Sequence, residues 1–153
     1  MKKVNTNNFK KTLSKFSTGI TVVCVKNNNS IYGKTVNSFN SLSLNPPMVL
    51  FSLGNYSSSI KQFSKTKFLS INILSSKQKK LSDNFASSTP KFENIKFIEG
   101  KNKTVIIPNC IANLECKLID KIKKGDHIIF ICKILELQSN DKLKPLVYFN
   151  SKY

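Results

Sequence analysis

The chain has 153 residues, 40% of them hydrophobic, which is enough to build one core and points to a single domain over 1–153. Its net charge of +17 comes from 25 cationic residues, every one a lysine, against 8 acidic ones. Without arginine the planar fork that grips guanine edges and phosphates is missing, and the lysines are scattered, so nucleic acid is not the expected partner. No run reaches the roughly 20 apolar residues of a membrane helix and the start carries no apolar leader, so a soluble, cytoplasmic protein is expected.

Phe9, Leu13 and Phe16 recur at spacings of four and three, predicting a helix over 7–17 that covers something apolar and ends at Thr18-Gly19. The β-branched run Ile20 to Lys26, the turn residues Asn27-Asn28-Asn29-Ser30 and the extended pattern from Ser30 to Phe39 make a hairpin. Pro46-Pro47 closes its second strand, because proline cannot donate to a ladder, and Met48 to Leu53 reads as a central strand. A short helix is predicted within 55–65, a strand over 67–74, and a helix over 76–86 announced by the capping-box spacing of Ser75 and Gln78. Residues 87–103 read as a polar loop, and the last third as strand, dominated by a hairpin turning at Lys123-Lys124-Gly125-Asp126.

Six or seven strands with three short helices and no strand-helix alternation predict a mainly β fold, an antiparallel barrel with helices at its ends. A groove wide enough for a flat cofactor would then come from dimerisation. No G-x-G-x-x-G turn is present, so a dinucleotide would need some other holder.

Hydroxyls and amides crowd Thr35 to Pro47, where they suit either the edge of a heteroaromatic ring or a solvated strand face. Strand alternation would put Thr35, Asn37 and Phe39 on one side and Val36 and Ser38 on the other. Ser57, Ser58 and Ser59 at a helix start read equally as a phosphate site, with Lys61 adding charge, or as an ordinary cap. His127 is the only histidine, and the four cysteines (Cys24, Cys110, Cys116, Cys132) lie in strand-like runs as buried, reduced thiols, so no metal site or hydrolase triad can be assembled.

Five blocks, Phe16 to Val23, Tyr32 to Leu53, Phe68 to Ala86, Gly125 to Phe130 and Pro145 to Tyr153, together resemble the flavin reductase-like, FMN-binding split-barrel family. The resemblance implies a six-stranded antiparallel Greek-key barrel, a homodimer, and a flavin, FMN or FAD, reduced by hydride from NADH or NADPH. It further implies a flavin-dependent monooxygenase as the recipient of reduced flavin. An FMN-binding flavoprotein without efficient turnover is the alternative. By the same resemblance Thr35, Val36, Asn37, Ser38, Ser52 and Leu53 contact the flavin, Ser57, Ser58 and Ser59 approach its phosphate, and Ser75 and Gln78 lie on the flavin side. His127 holds the nicotinamide and Tyr148 borders its pocket. The chain departs from its relatives in carrying Lys152 where an arginine is common, and in lacking G-x-P after Gly100.

Overall fold

The computed structural model describes residues 1–153 apart from Lys2, Asn29 and Asn94. In chain order the first elements are α1 (Thr6–Leu13), β1 (Thr18–Gly19), β2 (Thr21–Asn27), β3 (Ser30–Val36), β4 (Asn40–Ser43) and β5 (Met48–Gly54). Next come α2 (Ile60–Lys65), β6 (Phe68–Ile73), a 3-10 turn (Ser76–Gln78) and α3 (Lys79–Ala86). The chain ends with β7 (Ile98–Glu99), β8 (Val105–Ile106), β9 (Ala112–Lys124), β10 (His127–Ser139) and β11 (Val147–Tyr148). Asn29, in the predicted first turn, lies outside the described residues.

Seven strands form one antiparallel sheet in the order β3-β2-β6-β9-β10-β5-β4. The sheet curls until its ends approach, and the seam between β3 and β5 is bridged by a side chain: the Ser38 hydroxyl donates to the Ser52 carbonyl at 3.1 Å and accepts from the Ser52 N–H at 3.0 Å. One hydroxyl thereby satisfies two backbone groups where a ladder rung would otherwise stand. The architecture is the mainly β split barrel that the sequence implies.

β2 is buried on both faces, and its alternation separates two cores. Val23 and Val25 face the barrel interior with Phe51 and Phe130, whose rings stack at 5.1 Å, while Phe63 of α2 meets both edge-on and plugs one end. Val22 and Cys24 face outward under Phe85 of α3, Ile107 and Leu146. Inside the sheet, the Asn72 side chain donates to Val22 and Ser70 and accepts from Ile107 N–H and Asn113, which ties the β8 segment to β6 and β9. The buried Glu115 carboxylate accepts from the N–H groups of Lys101 and Asn102 and from the Thr104 hydroxyl, holding the loop before β8 in place.

α3 approaches β3 closely because Gly33 has no side chain. A Cβ there would lie 2.6 Å from a ring carbon of the fully buried Phe85. Gly33→Ala is expected to cost about 1–3 kcal/mol by overpacking, read from the urea midpoint. An unchanged midpoint would show that α3 yields freely.

Three expectations are corrected. The first helix stops at Leu13 and is not packed into the core: among the described residues none of its side chains is buried, and Phe9 remains 57% exposed. Its apolar face is periodic but is left largely open by the described residues. The strand over 30–39 ends at Val36, and a bend over 37–39 precedes the unforeseen β4, because Ser38 turns to bond Ser52 instead of continuing the pleat. Of the expected terminal strand 145–153, Val147 and Tyr148 form a strand pair, with β1. The long hairpin stands as read, with Gly125 at φ +56° in its two-residue turn. No helix among the described residues is long and apolar enough to cross a membrane.

Candidate active site

A groove of about 490 Å³ follows the barrel seam, a volume typical of small-ligand sites. β3 and the bend after it supply Lys34, Thr35, Val36, Asn37 and Ser38; β5 and the turn that follows supply Ser52, Leu53, Gly54, Tyr56, Ser57 and Ser58. The end of α3 adds Ala86, Ser87 and Ser88, and the mouth of the long hairpin adds His127. β3 has β2 as its one ladder partner, so alternate N–H and C=O groups of this edge strand point away from the sheet.

Individual side chains have defined partners. Thr35 donates its hydroxyl to the Ser82 carbonyl at 2.7 Å, so the donors it leaves to the groove are on its backbone. Asn37 is exposed, and the Ser38 hydroxyl is held in the seam. His127 sits opposite Gly54 in the ladder, and its Nδ1 lies 2.7 Å from Asp126 Oδ1. A carboxylate only accepts, so Nδ1 carries the proton and Nε2 is left for a ligand. The same hydrogen bond, with the charge of His127, lowers the Asp126 pKa below its usual value. A bond from the Asn55 N–H to the Asp126 carbonyl, 2.9 Å, fixes the hairpin turn against the end of β5.

The groove thus gathers Thr35, Val36, Asn37, Ser38, Ser52, Leu53, Ser57, Ser58 and His127, and leaves four sequence candidates outside it. Ser59 is buried, faces Ser57 at 3.3 Å and lines a smaller neighbouring cavity. Ser75 and Gln78 form the capping box, the Gln78 Oε1 accepting from the Ser75 N–H at 2.9 Å while its Nε2 donates to Pro108. Tyr148 lies against Tyr153, ring centres 5.3 Å apart, and the Tyr153 hydroxyl pairs with Ser82 at 2.6 Å.

Lys34, Tyr56, Ser87 and Ser88 were not singled out in the sequence. In the sequence Lys34 is one of 25 scattered lysines, and Ser87-Ser88 opens a polar loop. Their sequence signal is adjacency: Lys34 to the Thr35 block, Tyr56 to the Ser57–Ser59 run, and Ser87 and Ser88 to a helix end. Helix α2, with six residues, is too short for the dipole expected at Ser57 to Ser59, and Ser59 makes no side-chain cap bond.

No group of three or more His, Cys, Asp or Glu side chains among the described residues is arranged to hold a metal ion. All four cysteines are free and buried. Burial pushes the Cys110 thiol up to about 11 and Cys116 up to about 12, and raises Cys24 and Cys132 further, so none is a thiolate at neutral pH.

A barrel slit along one seam, whose described lining residues supply neutral donors, one imidazole and one ammonium and no carboxylate, defines a split barrel suited to a flat, anionic nucleotide. The profile described as "Flavin reductase like domain" matches residues 13–153. The chain is 34% identical over 137 residues to the FMN reductase (NADH) SmoA of Agrobacterium fabrum, covering 90% of this chain and 79% of that protein. It is 31% identical to the reductase component of 4-hydroxyphenylacetate 3-monooxygenase of Thermus thermophilus, covering 95% of this chain and 93% of that one. The structure of flavin reductase PheA2 in its native state superposes with a TM-score of 0.92 at 33% identity, over 98% of this chain and 97% of that one.

The chain belongs to the flavin reductase-like family. It is an oxidoreductase that reduces a flavin, FMN or FAD, with a nicotinamide dinucleotide.

Proposed function

We propose that this chain, as one domain over 1–153, binds its flavin along the β3–β5 seam and supplies reduced flavin to a separate flavin-dependent monooxygenase in the cytoplasm. The observation that carries the site is the make-up of the groove: neutral donors from β3, β5 and the 57–58 turn converge with His127, and no carboxylate is among its described lining residues. These residues fit a flavin, whose ring edge calls for neutral hydrogen-bond partners and whose chain ends in phosphate. Bound flavin and nicotinamide supply the hydride chemistry themselves. The protein's task is to orient and to shield.

In this reading Asn37 and the outward backbone groups of β3 hold the ring edge, while Val36 and Leu53, buried in the barrel core, form the floor of the groove. Neutral donors at the ring also stabilise negative charge that develops on reduction. His127, held by Asp126, offers Nε2 to the nicotinamide amide and so fixes its approach. Tyr56, largely exposed beside Gly54, is placed to cover the groove and exclude water.

A second copy of the chain is the proposed cover for the adjoining barrel wall, giving a homodimer. Leu50, Ile129 and Ile131 alternate with the buried Phe51 and Phe130, so they face outward, and they are only half-buried. The monooxygenase partner follows the Thermus thermophilus relative, itself a reductase component, and the four buried free thiols suit a reducing compartment.

Anaerobic absorbance at the flavin band, after mixing the protein with FMN or FAD and then NADH or NADPH, tests the reading. Rapid bleaching with one pair is expected, and the names of the relatives make FMN with NADH the first pair to try. Tight flavin binding without bleaching would replace the reductase by a flavin carrier. Light scattering at the mass of one 17.3 kDa chain in the active preparation would remove the homodimer.

A further inference from the structure

The serines at 57–59 leave a gap in the account of an anionic ligand. They are neutral, one of them faces away, and the short α2 contributes little field. Charge for a phosphate must come from elsewhere in the groove wall, and among the described lining residues the ammonium of Lys34 is the one lysine present.

Its placement is specific. Lys34 lies on β3 between the groove and the neighbouring cavity of about 170 Å³, and both cavities are also lined by Ser58. The Lys34 Nζ donates to the Ser87 carbonyl at 2.8 Å, and the Ser58 hydroxyl reaches towards the Ser88 carbonyl at 3.5 Å. Three elements, β3, the 57–58 turn and the end of α3, therefore meet at one end of the groove. An ammonium has three donors, so two remain. Partial burial lowers the Lys34 pKa from its usual value of 10.5, a cost that an anion beside the ammonium would offset.

We propose that Lys34 is the phosphate-binding and specificity-determining residue of this groove, making the chain select phosphorylated flavins over riboflavin. The inference rests on the flavin-reductase reading of the groove. Ser58, Ser87 and Ser88 complete the phosphate end with hydroxyls and backbone groups, and Lys34 supplies the charge.

The test is the dissociation constant of FMN and of riboflavin, by flavin fluorescence, for the wild-type chain, Lys34→Met and Lys34→Arg, at low and high salt. Far-UV circular dichroism and the melting temperature report folding. Lys34→Met is expected to weaken FMN about 10-fold or more, the worth of a charge-assisted hydrogen bond, while riboflavin stays within about twofold. Lys34→Arg is expected to restore most of the FMN affinity, and the salt dependence of FMN binding is expected to flatten in Lys34→Met. Equal weakening of both flavins would make Lys34 a packing residue that caps α3, and unchanged FMN affinity would remove it from the site. A wild-type chain that binds both flavins equally well would overturn the role of Lys34 and leave the flavin groove standing. One that binds neither would overturn the groove and Lys34 with it.

Discussion

Replacing His127 by alanine is expected to lower kcat/KM for nicotinamide oxidation on the order of 10- to 100-fold, the worth of one hydrogen bond to a polar or charged partner. The FMN dissociation constant should stay within about twofold. The split follows from position: His127 opens β10 beside Gly54, at the rim of the groove, whereas the seam donors lie on β3 and at Ser52. Its imidazole is held by Asp126 at 2.7 Å and keeps 43% of its surface exposed, open to a second ligand above the first. Steady-state kinetics with varied NADH and a separate flavin titration decide the matter. If kcat/KM falls and the FMN dissociation constant rises by a similar factor, His127 shapes the groove as a whole and has no particular relation to the nicotinamide.

The second large effect is expected at the seam. Ser38→Leu should weaken flavin binding by at least about 100-fold, because the added side chain enters the groove and the Ser52 N–H and C=O lose their shared partner. Asn37→Leu should remove ring-edge contacts without touching the seam, and weaken binding less. Ser38→Ala separates the two causes: it removes the bridge and leaves the space. Its cost should appear as about 1–3 kcal/mol of stability. Far-UV circular dichroism must show an intact barrel in each variant. Normal flavin affinity in a folded Ser38→Leu protein would mean that the ligand lies elsewhere.

Much of the strand plan was legible because it is written in nearest-neighbour chemistry. The hairpin of β9 and β10 follows from two long alternating runs around Gly125-Asp126, and the capping box at Ser75 and Gln78 follows from a spacing of three. The resemblance carried the family, and nine of the residues it points to line one groove. It could not rank Ser75 and Gln78, which serve each other and Pro108 instead of the groove. Nor could it single out Lys34, since one lysine in 25 stands out only when its neighbours in space are known. α1 shows the opposite limit: its periodicity is real, yet periodicity states that a face is apolar without stating what meets it.

The sequence by itself determined a mainly β barrel, since alternation, turn residues and caps act over a few neighbouring positions, and its resemblance to the flavin reductase-like family supplied the kind of barrel. Only the tertiary structure decided how the candidate residues close into a groove and which others join them. Ser38 meets Ser52 across 14 residues, and Lys34 meets Ser87 across 53. Such pairs are fixed by how the curled sheet brings its β3 edge and β5 together and by where α3 settles over Gly33, and no local pattern encodes that closure.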